Sequence, residues 1–182
     1  MIVAFDASIL TFIIDENAAA PPDPTTNQPV TFCKERVQHL LATLEKDNAK
    51  VILPTPALGE VLVKAGSGAP AIITEFSNSK HFKIVSFDVR AAVEFAARQI
   101  NRPKGIEKRT KAKFDDQILA IALVENASII YSDDKGIAKA APAGVKVVGI
   151  AELELPPAKA QHDMFPEHDG NYSADPNYGQ WG

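Results

Sequence analysis

Apolar residues along this chain fall into short runs, separated by stretches in which they recur at helical spacing. The runs 2–5, 51–53, 129–131 and 145–148 are too short for helices and suit buried strands. The segment 82–87 alternates well enough to form one more strand. Between these runs, Val37, Leu40, Leu41 and Leu44 mark one face of a helix within 31–48. Leu58, Val61 and Leu62 do the same after Thr55-Pro56, a pair that suits Thr as N-cap and Pro in the first turn. Further helices are expected over 7–14, from 71 to 76, and after Asp88, a ready cap, through Val93, Phe95, Ala96 and Ile100. Two more should run from near Phe114 to Asn126 and up to Ala140. Short strands alternating with helices predict an α/β fold with a mainly parallel sheet.

Two segments break this pattern. Residues 18–29 carry Pro21, Pro22, Pro24 and Pro29, which suit neither a helix interior nor a central strand. They read as an exposed, mobile loop inserted in the domain. From Leu155 onward aliphatic residues almost vanish, and Pro, Asp, Asn, Gly and Tyr take over. The chain therefore divides into a domain over 1–150 and a polar tail over 151–182. His162 and His168 fall in that tail, and His39 and His81 have no partner at metal-ligand spacing.

Composition narrows the function. The 182 residues suit one domain, and 46% hydrophobic with 23% charged residues excludes a wholly disordered chain. A net charge of -4 excludes a globally basic nucleic-acid binder, although not a local basic patch. One cysteine, Cys33, excludes an internal disulfide and a cysteine zinc cage. The N-terminus lacks a basic region and Asp6 interrupts its apolar run, so it does not read as a signal peptide. No apolar stretch reaches the ~18 residues of a membrane span. A cytoplasmic protein is the expectation.

The candidate chemistry lies in carboxylates near strand ends. Ligands of open α/β sheets bind beyond the carboxyl ends of the strands. Asp6 follows the first strand, Glu60 sits on the helix after the second, Asp115 and Asp116 open a later helix, and Asp133 and Asp134 follow the strand 129–131. Converging carboxylates repel unless a cation neutralises them, and Mg²⁺ or Mn²⁺ favours such oxygen donors. Each residue also has a plain reading. Asp6 could cap the following helix, Asp115 and Asp116 could complement a helix dipole, and Asp133-Asp134 could form a turn and cap. Glu60, between Leu58 and Val61 on a largely apolar helix, would be costly there without a partner. The stretch from Arg98 to Lys113 adds Arg102, Lys104, Lys108, Arg109 and Lys111, opposed only by Glu107. Such a run reads either as a solvated helix end or as a patch for RNA phosphates.

The combination resembles the PIN-domain family of metal-dependent ribonucleases, most closely the VapC type of toxin–antitoxin pairs. The matching segments are Val3-Ala4-Phe5-Asp6-Ala7-Ser8, Pro56-Ala57-Leu58-Gly59-Glu60-Val61-Leu62, Phe114-Asp115-Asp116-Gln117-Ile118-Leu119-Ala120-Ile121-Ala122 and Ile130-Tyr131-Ser132-Asp133-Asp134. The resemblance implies a three-layer α/β/α fold around a sheet of about five strands. It implies that Asp6, Glu60, Asp115 and Asp134 hold Mg²⁺ or Mn²⁺ and carry catalysis. Ser132 would order the site, and Asp133 would be an outer-sphere ligand. Asp116 is left to the helix dipole, and Gly136 stands where many members carry another acid. An endoribonuclease, a small antitoxin partner and a homodimer follow as expectations. The alternative is a non-catalytic RNA- or protein-binding module on the same fold.

Overall fold

Five strands form one wholly parallel sheet in the computed structural model, which describes residues 1–15, 17–100 and 109–157, with side chains at 109–112 left out. In chain order the elements are β1 (Ile2–Phe5), α1 (Ala7–Ile14), α2 (Cys33–Lys46), β2 (Lys50–Pro54), α3 (Thr55–Ala65), α4 (Ala69–Asn78) and β3 (Phe82–Val85). There follow α5 (Val89–Ile100), α6 (Arg109–Val124), β4 (Ile129–Tyr131), α7 (Lys135–Ala140) and β5 (Lys146–Val148). Single 3₁₀ turns occupy Gly66–Gly68 and Ile150–Glu152.

The sheet order is β3-β2-β1-β4-β5. The chain winds outward from β1 to β3, then crosses back to pair β4 against the other side of β1. The gap between the carboxyl ends of β1 and β4 is therefore the topological switch point, where open parallel sheets bind ligands. Val3, Ala4, Phe5, Ile52, Leu53 and Ile130 have no exposed surface, because helices flank the sheet and cover these strands. In α6, Ile118, Leu119, Ala120, Ile121 and Ala122 are all buried, so this helix runs through the core rather than along its edge.

Most of the expected elements are present, with instructive shifts. β3 stops at Val85, opposite Pro54, because its partner strand turns into α3 at Thr55. Thr55 is the first residue of α3, not its cap. Pro54 takes the cap position, and the Thr55 hydroxyl accepts the Phe87 N–H at 3.3 Å. Asp88 does cap α5, its carboxylate accepting the Ala91 N–H at 2.9 Å. α6 begins at Arg109, before the expected start near Phe114, since Arg, Lys and Ala all favour helix.

The proline-rich segment is exposed, as expected, yet it closes on itself. Pro22 and Pro29 form an isolated antiparallel bridge, and the Val30 N–H donates to the Pro21 carbonyl at 2.9 Å. The Asp23 carboxylate accepts the N–H groups of Thr25 and Thr26, which lowers its pKa. At the other end, Leu153 and Pro156 are buried, and Arg36 donates to the Leu153 carbonyl, so packing continues past β5. The expectations for Arg102, Lys104 and Lys108, for the side chains of Arg109 and Lys111, and for 158–182 lie outside the described residues.

Candidate metal centre

The Asp6 backbone N–H extends the β1–β4 ladder by one bond, to the Tyr131 carbonyl at 3.1 Å. Across the gap, the Ser132 N–H donates to the Val148 carbonyl at 2.9 Å. Both residues are thereby set at the carboxyl ends of adjacent strands. Asp6 occupies the N-cap position of α1 but makes no side-chain cap bond. Its carboxylate turns the other way. Oδ2 accepts the Ser132 hydroxyl at 2.7 Å and the Ser8 hydroxyl at 3.2 Å. The capping reading of Asp6 therefore gives way, because two hydroxyls compete successfully for its oxygen.

Each hydroxyl is bonded a second time. Ser132 Oγ accepts the Asp134 N–H at 3.0 Å, and Ser8 Oγ accepts the Asp133 N–H at 3.1 Å. The loop after β4 is thus stitched to the start of α1 through one buried carboxylate. Asp6 is 6% exposed and Ser132 3%. Desolvation at that burial makes each of these bonds worth more than at the surface.

Asp134 caps α7, with Oδ1 accepting the Gly136 N–H at 2.6 Å. The cap reading holds here, and Asp115 reaches the same place from α6. A Cβ built on Gly136 would overlap Asp115 Oδ2 and stand 2.9 Å from Asp134 Oδ1. Two carboxylates from different elements therefore meet over one glycine. Asp115 is itself buried.

Asp133 has a bond of its own. Its Oδ1 accepts the Ile150 N–H at 2.8 Å and anchors the chain just after β5. Burial pushes its pKa above the usual carboxylate range, and the charges of Asp6 and Glu152 add to that, against the Ile150 bond.

Three expectations need correction. Glu60 is exposed on α3, whose buried side is Ala57, Leu58 and Val61, so the cost of burying a carboxylate does not bear on it. Asp115 and Asp116 do not open α6. They lie beyond its first turn, where the helix dipole offers little. Asp116 is 2% exposed and accepts from Gln99 Nε2, with Arg98 at 3.9 Å. Arg98 in turn donates to the Ala140 carbonyl at 2.6 Å, the C-terminal end of α7. Arg98 is thus a half-buried clamp across α5, α6 and α7 rather than part of a phosphate patch. Lys113 is exposed, two positions before Asp115.

Sequence reasoning missed Ser8 and the steric role of Gly136. The signal for Ser8 was its place two residues beyond Asp6, within hydroxyl reach of it. For Gly136 it was a glycine in the first turn of a helix.

The donor set of carboxylates and a hydroxyl suits a hard divalent cation. Among the described residues, no three His, Cys, Asp or Glu side chains form a group that could hold a metal ion. No described helix is long and apolar enough to cross a membrane.

No protein-family model and no curated protein sequence matches the chain. Solved structures do. VapC20 of Mycobacterium tuberculosis, a toxin that cleaves the sarcin–ricin loop, superposes with a TM-score of 0.55 at 11% identity, covering 79% of this chain and 98% of that one. VapBC2 of Rickettsia felis, bound to a DNA fragment from its promoter, gives a TM-score of 0.54 at 14% identity, covering 82% and 98%. DNA-bound VapBC of Salmonella typhimurium gives 0.51 at 12% identity, again covering 82% and 98%. The chain has the fold of the VapC toxins, the α/β PIN fold that its motifs led us to expect.

Proposed function

We propose that this chain is a divalent-metal-dependent endoribonuclease of the VapC type, acting as the toxin of a toxin–antitoxin pair in the cytoplasm. The observation that carries the reading is Asp6. Its buried carboxylate is held by two hydroxyls at the switch point, and one of these, Ser132, also accepts the Asp134 N–H. A buried charge aimed away from its helix serves no capping purpose and suits a ligand.

In this reading Asp6, Glu60, Asp115 and Asp134 hold Mg²⁺ or Mn²⁺ directly or through water. The bound ion supplies an activated water and charge stabilisation for phosphodiester hydrolysis. The chain's own groups do the positioning. Ser132 holds the Asp6 carboxylate and the Asp134 backbone together, and Asp133 acts from the outer sphere. Lys113 would contact the RNA backbone together with Arg102, Lys104, Lys108, Arg109 and Lys111, without reading sequence. Two of the neighbours named above are VapBC complexes, which supports a small antitoxin as partner. A homodimer belongs to the same proposal.

The test is Mn²⁺ titration by calorimetry, followed by cleavage of a defined RNA with and without chelator. Asp6→Asn and Asp115→Asn should each abolish binding and cleavage while the circular dichroism spectrum is retained. Cleavage surviving in Asp6→Asn, or in chelator, overturns the proposal. RNA binding without cleavage, unchanged by chelator, would assign the chain to the non-catalytic class instead.

A further inference from the structure

α7 is a six-residue helix, and Gly136 sits in its first turn, between the cap Asp134 and the buried Ile137. Glycine is a poor helix former, and nothing in the backbone requires it here. The left-handed glycines among the described residues are Gly66 and Gly144, not Gly136. An alanine at this position would therefore improve the helix if the backbone alone mattered. What opposes it is the space above the Cα. That space is filled by Asp115 Oδ2 from α6, with Asp134 Oδ1 alongside. A carboxylate oxygen held there is no flexible tip. Asp115 is buried, and Asp134 is pinned by the Gly136 N–H itself.

We propose that Gly136 is a positioning residue of the carboxylate centre. By lacking a side chain it lets Asp115 and Asp134 share one point between α6 and α7. Its connection with cation binding rests on the function proposed above, whereas its steric coupling to Asp115 does not. The same geometry accounts for the departure seen in the sequence. A side chain here, acidic or not, would begin with the Cβ that collides with Asp115. At this point Asp115 and Asp134 supply the acids, and position 136 supplies room.

The experiment compares four full-length proteins: wild type, Gly136→Ala, Asp115→Ala and the double variant. Thermal midpoints without metal and Mn²⁺ affinity by calorimetry are measured on each. In the Asp115→Ala background only the 2.9 Å approach to Asp134 Oδ1 remains, so Gly136→Ala should lower the midpoint far less than in wild type, or raise it by up to about 4 °C, the ordinary gain of alanine over glycine in a helix. In the wild-type background the same change should lower the midpoint, or prevent folding outright. Gly136→Ala protein that does fold should bind Mn²⁺ at least ~10-fold more weakly, the usual effect of disturbing a group that orients ligands. An equal shift of midpoint in both backgrounds overturns the proposal and leaves the metal reading intact, provided the wild type binds Mn²⁺. A larger drop in the wild-type background than in Asp115→Ala, with no Mn²⁺ bound by the wild type, supports the steric role and overturns the metal reading alone. Unchanged Mn²⁺ affinity in folded Gly136→Ala overturns the positioning role.

Discussion

Removing the Ser132 hydroxyl tests whether the switch point is held together as described. Ser132→Ala deletes two bonds at once: the 2.7 Å donation to Asp6 Oδ2 and the 3.0 Å acceptance from the Asp134 N–H. A bond to an ionised carboxylate contributes about 1.5–3 kcal/mol, and a neutral one about 1. The site is nearly dry, with Ser132 3% exposed, so water does not readily replace the hydroxyl. Among the described residues, Asp6 then keeps the Ser8 hydroxyl, at 3.2 Å. The expected loss is ~2–4 kcal/mol, from these two bonds together. With a urea slope of ~2 kcal/mol/M, the unfolding midpoint should fall by ~1–2 M. Ser132→Thr, which keeps the hydroxyl, should recover most of it. A double cycle with Asp6→Asn isolates the pair and should show a coupling of ~1–3 kcal/mol. If Ser132→Ala unfolds within ~0.3 M of wild type at unchanged slope, the reasoning is wrong and the hydroxyl is a bystander.

Three further perturbations follow from the same structure. Glu125 accepts from Lys83 at 2.6 Å and from Arg90 at 2.7 Å, which holds its pKa below the ordinary glutamate range, Lys83 contributing most. Its contribution is present above that ordinary range and lost as pH falls through the lowered folded-state value. Both cations are largely exposed, so Glu125→Gln should cost only ~1–2 kcal/mol at pH 7. That difference from wild type should vanish in acid, as followed by urea unfolding across pH; a difference that persists there would sink the argument. Asp116→Ala removes the anion beside Arg98 and the acceptor of Gln99, so it should cost ~2–3 kcal/mol and loosen α7 through the Ala140 contact. Thermal melts and amide exchange in 135–140 check this, and protection equal to wild type would argue against the clamp. Asp23→Ala should open the proline-rich turn alone. Exchange at Thr25 and Thr26 should accelerate while the global melting point stays put, and a fall in that melting point would show the turn supports the core.

The elements were legible because periodicity is local. The strands announced themselves as short apolar runs or, at 82–87, by alternation, and the helix over 31–48 showed its stripe within a dozen residues. The boundaries that slipped did so where a non-local partner decided them. β3 ends where β2 turns into α3, and Thr55 serves Phe87 rather than its own helix. The start of α6 was placed near Phe114 because the charges before it obscure any apolar stripe, although residues 109–113 are helical.

The sequence by itself determined the α/β class, the parallel sheet and the acids near its strand ends, since these depend on composition and spacing alone. It also carried the order of motifs by which the fold could be anticipated. Tertiary structure decided what those acids do. Asp6 turns from its helix toward Ser132, 126 residues away, because the crossover sets β1 beside β4. Asp116 and Arg98 are consumed by helix packing, and Glu60 stands in solvent, although all three are ordinary charged residues in the sequence. Asp115 and Asp134 meet over Gly136 only because α6 and α7 pack side by side. The physical reason is one of range. Local pattern selects helix or strand within a few residues, whereas side-chain direction and burial follow from contacts that close only when the whole chain has folded.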